Sequence, residues 1–398
     1  MPFYHRLGEL PHKRHTQFRQ PDGTLYAEQV MGTRGFDGIQ SIVYHRRPPT
    51  AILKAEDRGP VQIDLEEPGA LRHRHFRTAQ LVPGGDPISG RRVLLHNSDV
   101  TVSIVQPTIP MDYHYRNGQG DELLFVNEGE GRIESLFGTL RFHRGDYIVI
   151  PIGTTYRIVF DTPLAINAHM PQAAPHGKLL VLDMRGNIET PRRYRNEYGQ
   201  LLEHAPFCER DIRTPHELPA HNERGEFPVL VRAGDRYTLH TLDHHPLDAV
   251  GWDGFMYPWA FNIEDFEPIT GRVHQPPPVH QTFKGPNFVV CSFVPRKYDY
   301  HPLAIPAPYN HSNVDSDEVL YYVEGQFMSR RGIEPGSISL HPSGLPHGPH
   351  PGAAEASIGK EGTEELAVML DTFHPLRVAR AASPIEDARY PYSWTQMN

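Results

Sequence analysis

Two short stretches near the carboxyl end of the chain carry residues that could bind a metal ion. The first, residues 309–325, contains His311 and Glu318, and a glycine follows the glutamate seven residues later. The second, residues 336–347, begins with a glycine and ends with His347. Two imidazoles and one carboxylate make a facial triad with open coordination positions, which suits non-haem Fe(II). The same donors also suit Zn(II), so these residues by themselves leave the metal open.

A related spacing occurs in the first half of the chain. Glu122 is followed by a glycine at the same seven-residue distance as Glu318. The later positions also correspond, because the offsets of Gly336, Pro342, Gly344 and His347 recur at Gly145, Pro151, Gly153 and Tyr156. An internal repeat of this kind predicts two related domains. We expect the earlier copy to have lost its metal, since Tyr156 takes the position of His347 while His114 and Glu122 remain.

The elements between these motifs are short and strand-like. From residue 82 to residue 171, apolar runs follow one another between Gly, Asn, Asp or Pro, and the whole chain holds 39 prolines and 34 glycines. This pattern is typical of a protein dominated by β-strands rather than long helices. Together with the repeat, it predicts an all-β-dominated fold with two cupin-like jelly-roll barrels, a bicupin.

The composition along the chain predicts five segments. They are an N-terminal arm with leading strands (1–80), a first barrel with a degenerate metal site (81–182), a connection with an aromatic-rich segment (183–270), a second barrel that carries the metal (271–376) and a C-terminal arm (377–398).

Charge and cysteine content narrow the class of protein. The formal net charge of −9 is spread along the chain without a basic face, so we expect neither nucleic acid nor an anionic membrane surface as a partner. Residues 1–20 contain no apolar run of 7 to 15 residues, so we do not expect a secretory signal, and the sequence contains no apolar run of 18 residues that could span a membrane. With only Cys208 and Cys291, a disulfide framework is excluded. We therefore expect a cytoplasmic protein that acts on small molecules.

Other histidines are candidates for acid–base chemistry. The chain has 25 of them, so chance spacings must be expected. His274 and His280 flank a rigid Gln-Pro-Pro-Pro-Val segment, where an imidazole could act as a general acid or base. His341 lies six residues before His347 and could contact a substrate or support the metal ligands. The alternative for each is a surface or loop histidine without a chemical role.

Five motifs, in order along the chain, resemble one enzyme family. They are Leu-Tyr-Ala-Glu-Gln from Leu25, Asn-x-x-Gly-Asp-Glu-Leu from Asn117, Trp-x-Gly-x-x-x-Pro-Trp-x-Phe-Asn-Ile from Trp252, Pro-Tyr-x-His-x-Asn from Pro308 and Leu-Pro-His-Gly-Pro from Leu345. In these motifs the chain is similar to homogentisate 1,2-dioxygenases of the shorter bacterial type, over nearly its whole length. The resemblance implies an Fe(II)-dependent oxidoreductase that opens the aromatic ring of homogentisate with both atoms of O2 to give maleylacetoacetate, in tyrosine and phenylalanine catabolism.

The resemblance also implies roles for individual residues. It assigns the metal to His311, Glu318 and His347, acid–base catalysis to His274, and substrate binding to Tyr309, His341, His347 and Arg330. It further implies a homo-oligomer, a trimer or a hexamer.

Two departures from the animal enzymes of the family bear on these roles. The spacing from the first histidine is one residue longer here, so Asp317 competes with Glu318 as the ligand, although the step to the following glycine favours Glu318. Phe327 and Arg330 stand where those enzymes have a tyrosine and a lysine that help to recognise the substrate. Another para-hydroquinone such as gentisate therefore stays open as the substrate. A non-enzymatic metal-binding bicupin and a zinc-type sugar-phosphate isomerase are the alternatives outside this class, and the isomerase would need a basic phosphate pocket.

Overall fold

The computed structural model describes residues 2–161, 175–325, 327 and 332–395. Strands make up most of its regular structure, and the α-helix in these ranges, α1 (Ala353–Ser357), has 5 residues. The prediction of a β-dominated fold is therefore confirmed. Within the same ranges, no helix is long and apolar enough to cross a membrane.

The strands are numbered in chain order. They are β1 (His5–Gly8), β2 (Ala27–Gly32), β3 (Gln40–His45), β4 (Ile52–Pro60), β5 (Arg74–Arg77), β6 (Arg92–His96), β7 (Val100–Val105), β8 (His114–Asn117), β9 (Asp121–Glu128), β10 (Gly131–Ser135), β11 (Gly138–Phe142), β12 (Asp146–Ile150), β13 (Thr155–Phe160), β14 (Lys178–Met184), β15 (Ile212–Arg213), β16 (Arg224–Ala233), β17 (Arg236–His244), β18 (Ala249–Gly254), β19 (Trp259–Asn262), β20 (Gln281–Lys284), β21 (Phe288–Phe293), β22 (Arg296–Lys297), β23 (Asp317–Glu324), β24 (Ser337–His341), β25 (Gly362–Thr363), β26 (Leu366–Thr372) and β27 (Arg377–Val378). Short 3-10 helices span Arg34–Phe36, Thr78–Gln80, Arg192–Tyr194, Glu209–Asp211, Ile263–Asp265, Pro277–His280, Arg380–Ile385 and Tyr390–Tyr392.

An eight-stranded sheet lies at the centre, in the order β15-β19-β12-β9-β14-β7-β6-β27. Its middle strands are apolar at nearly every position because both faces are buried. Leu124 and Val126 of β9 face one apolar core, whereas Leu123 and Phe125 face another. Side chains alternate between the two faces of a strand, so one continuous apolar run serves two cores.

The seven-stranded sheet, in the order β11-β10-β13-β8-β16-β17-β4, encloses the first of these cores. Strands β16 and β17 come from the segment predicted as a connection, and β4 comes from the predicted N-terminal arm. Strand β16 pairs with β8 in parallel, while its partner β17 is antiparallel. This sheet thus includes strands from outside residues 81–182, the range predicted for the first barrel.

The six-stranded sheet, in the order β20-β21-β26-β23-β24-β5, packs against the other face of the central sheet. Val319 and Tyr321 of β23 point into the shared core, together with Val368 of the neighbouring strand β26. The alternate residues of β23, Glu318 and Leu320, point to the opposite face and line a cavity. This face of the sheet therefore presents the predicted site.

The glycine spacing of the repeat corresponds to the same turn in both copies. Gly129 and Gly325 have φ angles of +95° and +96°, a conformation that favours glycine. A Cβ atom at Gly325 would lie 2.2 Å from the carbonyl oxygen of Glu364, so a larger residue would also clash there. The turn after β9 and the turn after β23 thus both require a residue with a positive φ angle, which favours glycine.

Candidate metal centre

A backbone pairing brings the two predicted histidine ligands together. The N–H of His311 donates to the carbonyl oxygen of His347 over 2.8 Å, and the N–H of His347 donates back to His311 over 2.9 Å. The two imidazole rings lie 4.3 Å apart between their centroids. Glu318 stands near the start of β23, next to this pair. Residues from a loop, a strand and a turn therefore meet at one point.

The donor atoms of these residues converge in the way a divalent metal requires. The Nε2 atoms of His311 and His347 lie 3.4 Å and 3.2 Å from the two carboxylate oxygens of Glu318. The other ring nitrogen of each histidine is close to a backbone carbonyl, at 3.3 Å for Tyr309 and 3.1 Å for Leu345. In a metal complex Nδ1 would donate to these carbonyls, and Nε2 of each histidine would be available as a ligand. Within the described ranges, this is the group of three that fits a metal ion, with all ligand atoms within 4.8 Å of one another.

The carboxylate of Glu318 is buried, with 4 % of the residue exposed, yet its surroundings favour the charged form. Burial alone would raise the pKa of Glu318, but hydrogen bonds from His311, His341 and His347 hold this pKa well below its usual range. Asp371 is the cross-strand neighbour of Glu318 on β26. Burial, and then the negative charge of Glu318, raise the pKa of Asp371 well above its usual range.

The alternative ligand, Asp317, has a different task. Its Oδ1 accepts from the N–H of Ser343 over 2.8 Å, and its Oδ2 accepts from the N–H of Leu376 over 2.7 Å. Neighbouring residues of a strand point to opposite faces, so Asp317 and Glu318 cannot both face the histidines. Asp317 thus ties two loops to β23, and Glu318 is the residue that faces the histidine pair.

His341 lies behind Glu318 and contacts it directly. It is fully buried, its Nδ1 lies 2.8 Å from Oε1 of Glu318, and its Nε2 lies 3.0 Å from the hydroxyl of Tyr390. The described residues that line the neighbouring cavity do not include His341. This geometry suits a residue that orients the carboxylate. Tyr390 was missed from the sequence because it lies 49 residues further along the chain.

A cavity of about 230 Å³ opens beside the triad. The predicted residues on its wall are His274, His280, Tyr309, His311, Glu318 and Phe327. Its wall also contains an ion pair that sequence reasoning missed, in which Nη1 of Arg296 lies 3.2 Å from Oε1 of Glu365. No motif indicated this pair, because Arg296 is on β22 and Glu365 lies between β25 and β26, and the two become neighbours only in the folded chain.

The two histidines that flank the proline run have different environments. Nδ1 of His274 lies 3.0 Å from a carboxylate oxygen of Asp299, and its ring meets Tyr309 edge-on at 5.2 Å. His280 is half-buried and packs against Phe293, and the loss of solvation, followed by the nearby positive charge of Arg296, lowers the pKa of His280 to about 3. His274 is therefore the one of the two that combines access to the cavity with an orienting carboxylate.

Of the two positions expected to select the substrate, Phe327 is among the described residues and Arg330 is not. Phe327 packs edge-on against Tyr322, with 4.6 Å between the ring centroids, and forms part of the cavity wall. Arg330, which the resemblance places at the substrate, lies outside the described residues.

The structure corrects one feature of the internal repeat. Tyr156 pairs with Tyr115 across β13 and β8, as His347 pairs with His311 in the later copy. Tyr115 is also seven residues before Glu122, the distance from His311 to Glu318. The prediction that His114 corresponds to His311 was therefore wrong.

The error has a simple physical origin. Adjacent residues of a strand point to opposite faces, so a shift of one position sends the side chain away from the site. His114 packs against His245, with 5.1 Å between the ring centroids. Both histidines of the later triad thus correspond to tyrosines in the first barrel.

In the first half of the chain, a guanidinium group occupies the position that corresponds to the candidate metal site. Nη1 of Arg91 lies 2.5 Å from Oε1 of Glu122, and Nη2 lies 3.3 Å from the hydroxyl of Tyr156. The guanidinium carbon lies 5.6 Å from the centroid of the Tyr115 ring. Arg91 therefore contacts all three residues that correspond to the triad, and its charge balances the buried glutamate.

Known proteins with similar sequences include dioxygenases. The family description "Homogentisate 1,2-dioxygenase C-terminal" matches residues 272–398. A Saccharolobus solfataricus protein with the provisional name of a dioxygenase is 41 % identical over 397 residues, which is 99 % of each chain. The chain belongs to the homogentisate 1,2-dioxygenase family.

Other members and neighbours are more distant. The homogentisate 1,2-dioxygenase of Bradyrhizobium diazoefficiens is 27 % identical over 296 residues, covering 70 % of this chain and 62 % of that one. A cupin 2 conserved barrel domain protein from Leptotrichia buccalis aligns with 79 % of this chain and 100 % of its own, with a TM-score of 0.32 and 10 % identity. The predicted family is thus confirmed, and membership supports a dioxygenase with a metal cofactor.

The ligand assignment can be tested by substitution. His347→Ala should weaken Fe(II) or Co(II) binding by more than about 100-fold, because it removes a donor atom from the triad. Metal content after dialysis and titration calorimetry would measure this. His15→Ala is a matched control, since the His15 side chain is 94 % exposed and should not affect the metal. Unchanged metal affinity in His347→Ala would show that the ligand set is wrong.

The role of Tyr390 is testable with a second matched pair. Tyr390→Phe removes the hydroxyl partner of His341 and should lower metal affinity by about 10-fold, as expected for a residue that supports a ligand. The d–d spectrum of the Co(II)-loaded protein should shift as well, because the orientation of Glu318 changes. Tyr392→Phe changes a tyrosine that is 65 % exposed and should leave both readouts as they are.

The arginine of the first barrel predicts a pH effect on stability. Arg91→Met leaves the fully buried Glu122 without its cation and should cost about 3–5 kcal/mol near neutral pH. Burial already raises the pKa of Glu122, and Arg91 opposes this rise. Without Arg91 the folded state favours protonated Glu122 still more, so stability is lost as pH rises above the unfolded pKa of about 4.3.

Urea denaturation from pH 4 to pH 8 would measure this effect. The gap in free energy of unfolding between the wild type and Arg91→Met should widen as pH rises. Arg141→Met provides the control, because that arginine side chain is 55 % exposed. A gap that stays constant with pH would contradict the ion-pair interpretation.

Proposed function

We propose that this protein is an Fe(II)-dependent ring-cleaving dioxygenase that converts homogentisate and O2 to maleylacetoacetate. The observation that carries this proposal is the facial triad of His311, Glu318 and His347 beside a cavity that His274 and Tyr309 line. Family membership supports the reaction class. The reaction balances without an external reductant, since both oxygen atoms enter the product.

The proposed metal supplies the open coordination positions at which a phenol and O2 can be brought together. His311, Glu318 and His347 hold it through two neutral imidazoles and one carboxylate. His341 holds Glu318 in place and is itself held by Tyr390. Iron is the proposed ion because family membership supports a dioxygenase, and a triad of two histidines and a carboxylate is the usual Fe(II) site of non-haem oxygenases.

His274 is the proposed general base for the substrate phenol. Asp299 lies beside its Nδ1, which fixes the tautomer that carries a proton on Nδ1 and leaves Nε2 as an acceptor. A base of this kind would take the phenol proton at the wall of the cavity. Tyr309 packs edge-on to His274 and 6.1 Å from the ring of His311, so it lies between the base and the triad and can contact the substrate ring.

The carboxylate of homogentisate needs a cationic partner. We propose Arg330 for this role, because a guanidinium can pair with a carboxylate through two hydrogen bonds. Phe327 supplies an apolar ring to the cavity wall where relatives with a tyrosine would supply a hydroxyl. This difference makes a related para-hydroquinone such as gentisate the second candidate substrate.

We propose that the protein acts as a homo-oligomer, a trimer or a hexamer, in the cytoplasm, and that its five segments form a bicupin with two terminal arms. Strands β4 and β5 of the N-terminal arm and β27 of the C-terminal arm each pair into one of the large sheets, which supports a structural role for both arms. Light scattering after size-exclusion chromatography would measure the oligomeric state, and a monomer would contradict the proposal.

Oxygen uptake provides the test of activity. Protein loaded anaerobically with Fe(II) should consume one O2 per homogentisate and form a product with a new ultraviolet absorbance. Uptake with gentisate but not homogentisate would replace the substrate and keep the reaction class. Absence of uptake with every para-hydroquinone would favour the metal-binding protein without enzymatic activity.

The proposed base gives a sharper prediction. His274→Ala should retain Fe(II) affinity, because His274 is not a ligand, and should lose about 10²–10⁴-fold in kcat. Metal affinity and oxygen uptake, measured on the same preparation, separate the two effects. His301→Ala, a histidine of the neighbouring loop that does not line the cavity among its described residues, is the matched control. Full activity in His274→Ala would remove this residue from the mechanism.

A further inference from the structure

The first barrel has a cavity of its own, with a volume of about 260 Å³. Its place in the fold corresponds to that of the cavity beside the triad. Asp183 lines the first cavity and is the cross-strand neighbour of Glu122, as Asp371 lines the second and neighbours Glu318. The repeat has therefore kept a cavity in a barrel where an arginine stands in the place of a metal.

A second contact is repeated next to the corresponding aspartates of the two halves of the chain. The side-chain amide of Asn117 donates to Asp183 over 2.9 Å, and that of Asn313 donates to Asp371 over 3.2 Å. In both barrels the asparagine comes five residues before the glutamate. The aspartate thus lines both cavities, whereas the glutamate and the asparagine line only the cavity beside the triad among the described residues.

The cations of the first cavity are two arginines. Arg91 and Arg232 line it, and Asp183 is the carboxylate among its described lining residues. Nη1 of Arg232 lies 3.1 Å from Oδ2 of Asp183. The Nε of Arg232 is buried and has no hydrogen-bond acceptor among the described residues. Because this Nε has almost no accessible surface, a ligand in the cavity would meet the terminal nitrogens of the guanidinium, which can pair with a carboxylate.

The rest of the wall is apolar or aromatic. Ile63, Ile88 and Leu230 contribute aliphatic surface, and Tyr113 and Tyr237 contribute rings. The hydroxyl of Tyr113 donates to Asp86 over 3.0 Å, so its ring is held in place. Concave sites with apolar walls and a few placed polar groups are the usual form of small-molecule sites.

We propose that this first-barrel cavity, lined by Arg91 and Arg232, binds a small monocarboxylic acid with an apolar or aromatic body. The carboxylate accepts from the terminal N–H groups of the Arg232 guanidinium, and the body packs between the aliphatic residues and the tyrosine rings. This site is separate from the triad, which belongs to the other barrel. It does not depend on which reaction the triad carries out.

Benzoate is a suitable probe, with benzamide as the neutral molecule of the same shape. Titration calorimetry on the full chain should give one benzoate per chain, and benzamide should bind at least about tenfold more weakly because it lacks the charge. Arg232→Met keeps the length of the side chain and should weaken benzoate by at least about tenfold. Arg296→Met, which removes the arginine of the cavity beside the triad, should leave benzoate affinity unchanged.

A cavity-filling variant provides a second test in case Arg232→Met does not fold. Ile63 lies on the wall in a segment outside the strands, so Ile63→Trp should block the cavity without touching the arginines. Circular dichroism would confirm that each variant is folded. Loss of benzoate binding in Ile63→Trp supports the proposal. The proposal would be overturned if the wild type did not bind benzoate, or if folded Arg232→Met or Ile63→Trp bound benzoate with wild-type affinity. Loss of benzoate binding in Arg296→Met would also overturn it.

Discussion

The site depends on a carboxylate that is buried and must stay charged. Glu318 is withdrawn from water, and an isolated buried charge is strongly unfavourable. The fold offsets this by placing three imidazoles around it, two on the side of the candidate metal and one behind. The pairing of His311 with His347 and the position of His341 on β24 both follow from this demand. A metal held there would complete the neutralisation and leave its remaining positions towards the cavity.

The first barrel meets the same demand with a different cation. Glu122 is as deeply buried as Glu318, and Arg91 reaches it from the segment before β6. The two tyrosines at the histidine positions cannot supply neutral ring nitrogens, so they suit a guanidinium and not a metal. The repeat thus conserves the buried carboxylate and its neighbours Asn117 and Asp183, while the cation has changed. Arg91 was not predicted, because it lies outside the repeated spacing and joins Glu122 only through the folding of the sheet.

Much of the candidate site could be predicted from spacing. The triad, the step from glutamate to glycine, and the family motifs all depend on local order along the chain, and the structure brings His311, Glu318 and His347 together. The error at His114 arose because a difference of one residue in spacing is small in a sequence but reverses the face of a strand. Tyr390, Arg296 and Glu365 carried no such signal. Their partners lie on distant segments of the chain, and local composition does not show which distant segments will meet.

The sequence by itself determined a β-dominated chain, an internal repeat, the family and the residues of one facial triad, because these depend on residue type and short-range spacing. The tertiary structure decided which carboxylate of the Asp317–Glu318 pair faces the histidines, since that depends on which face of β23 is covered by the core. It also decided that His341 supports Glu318 and that an arginine replaces the metal in the first barrel. These outcomes depend on strand register and on contacts between distant segments, which only the folded chain brings within bonding distance.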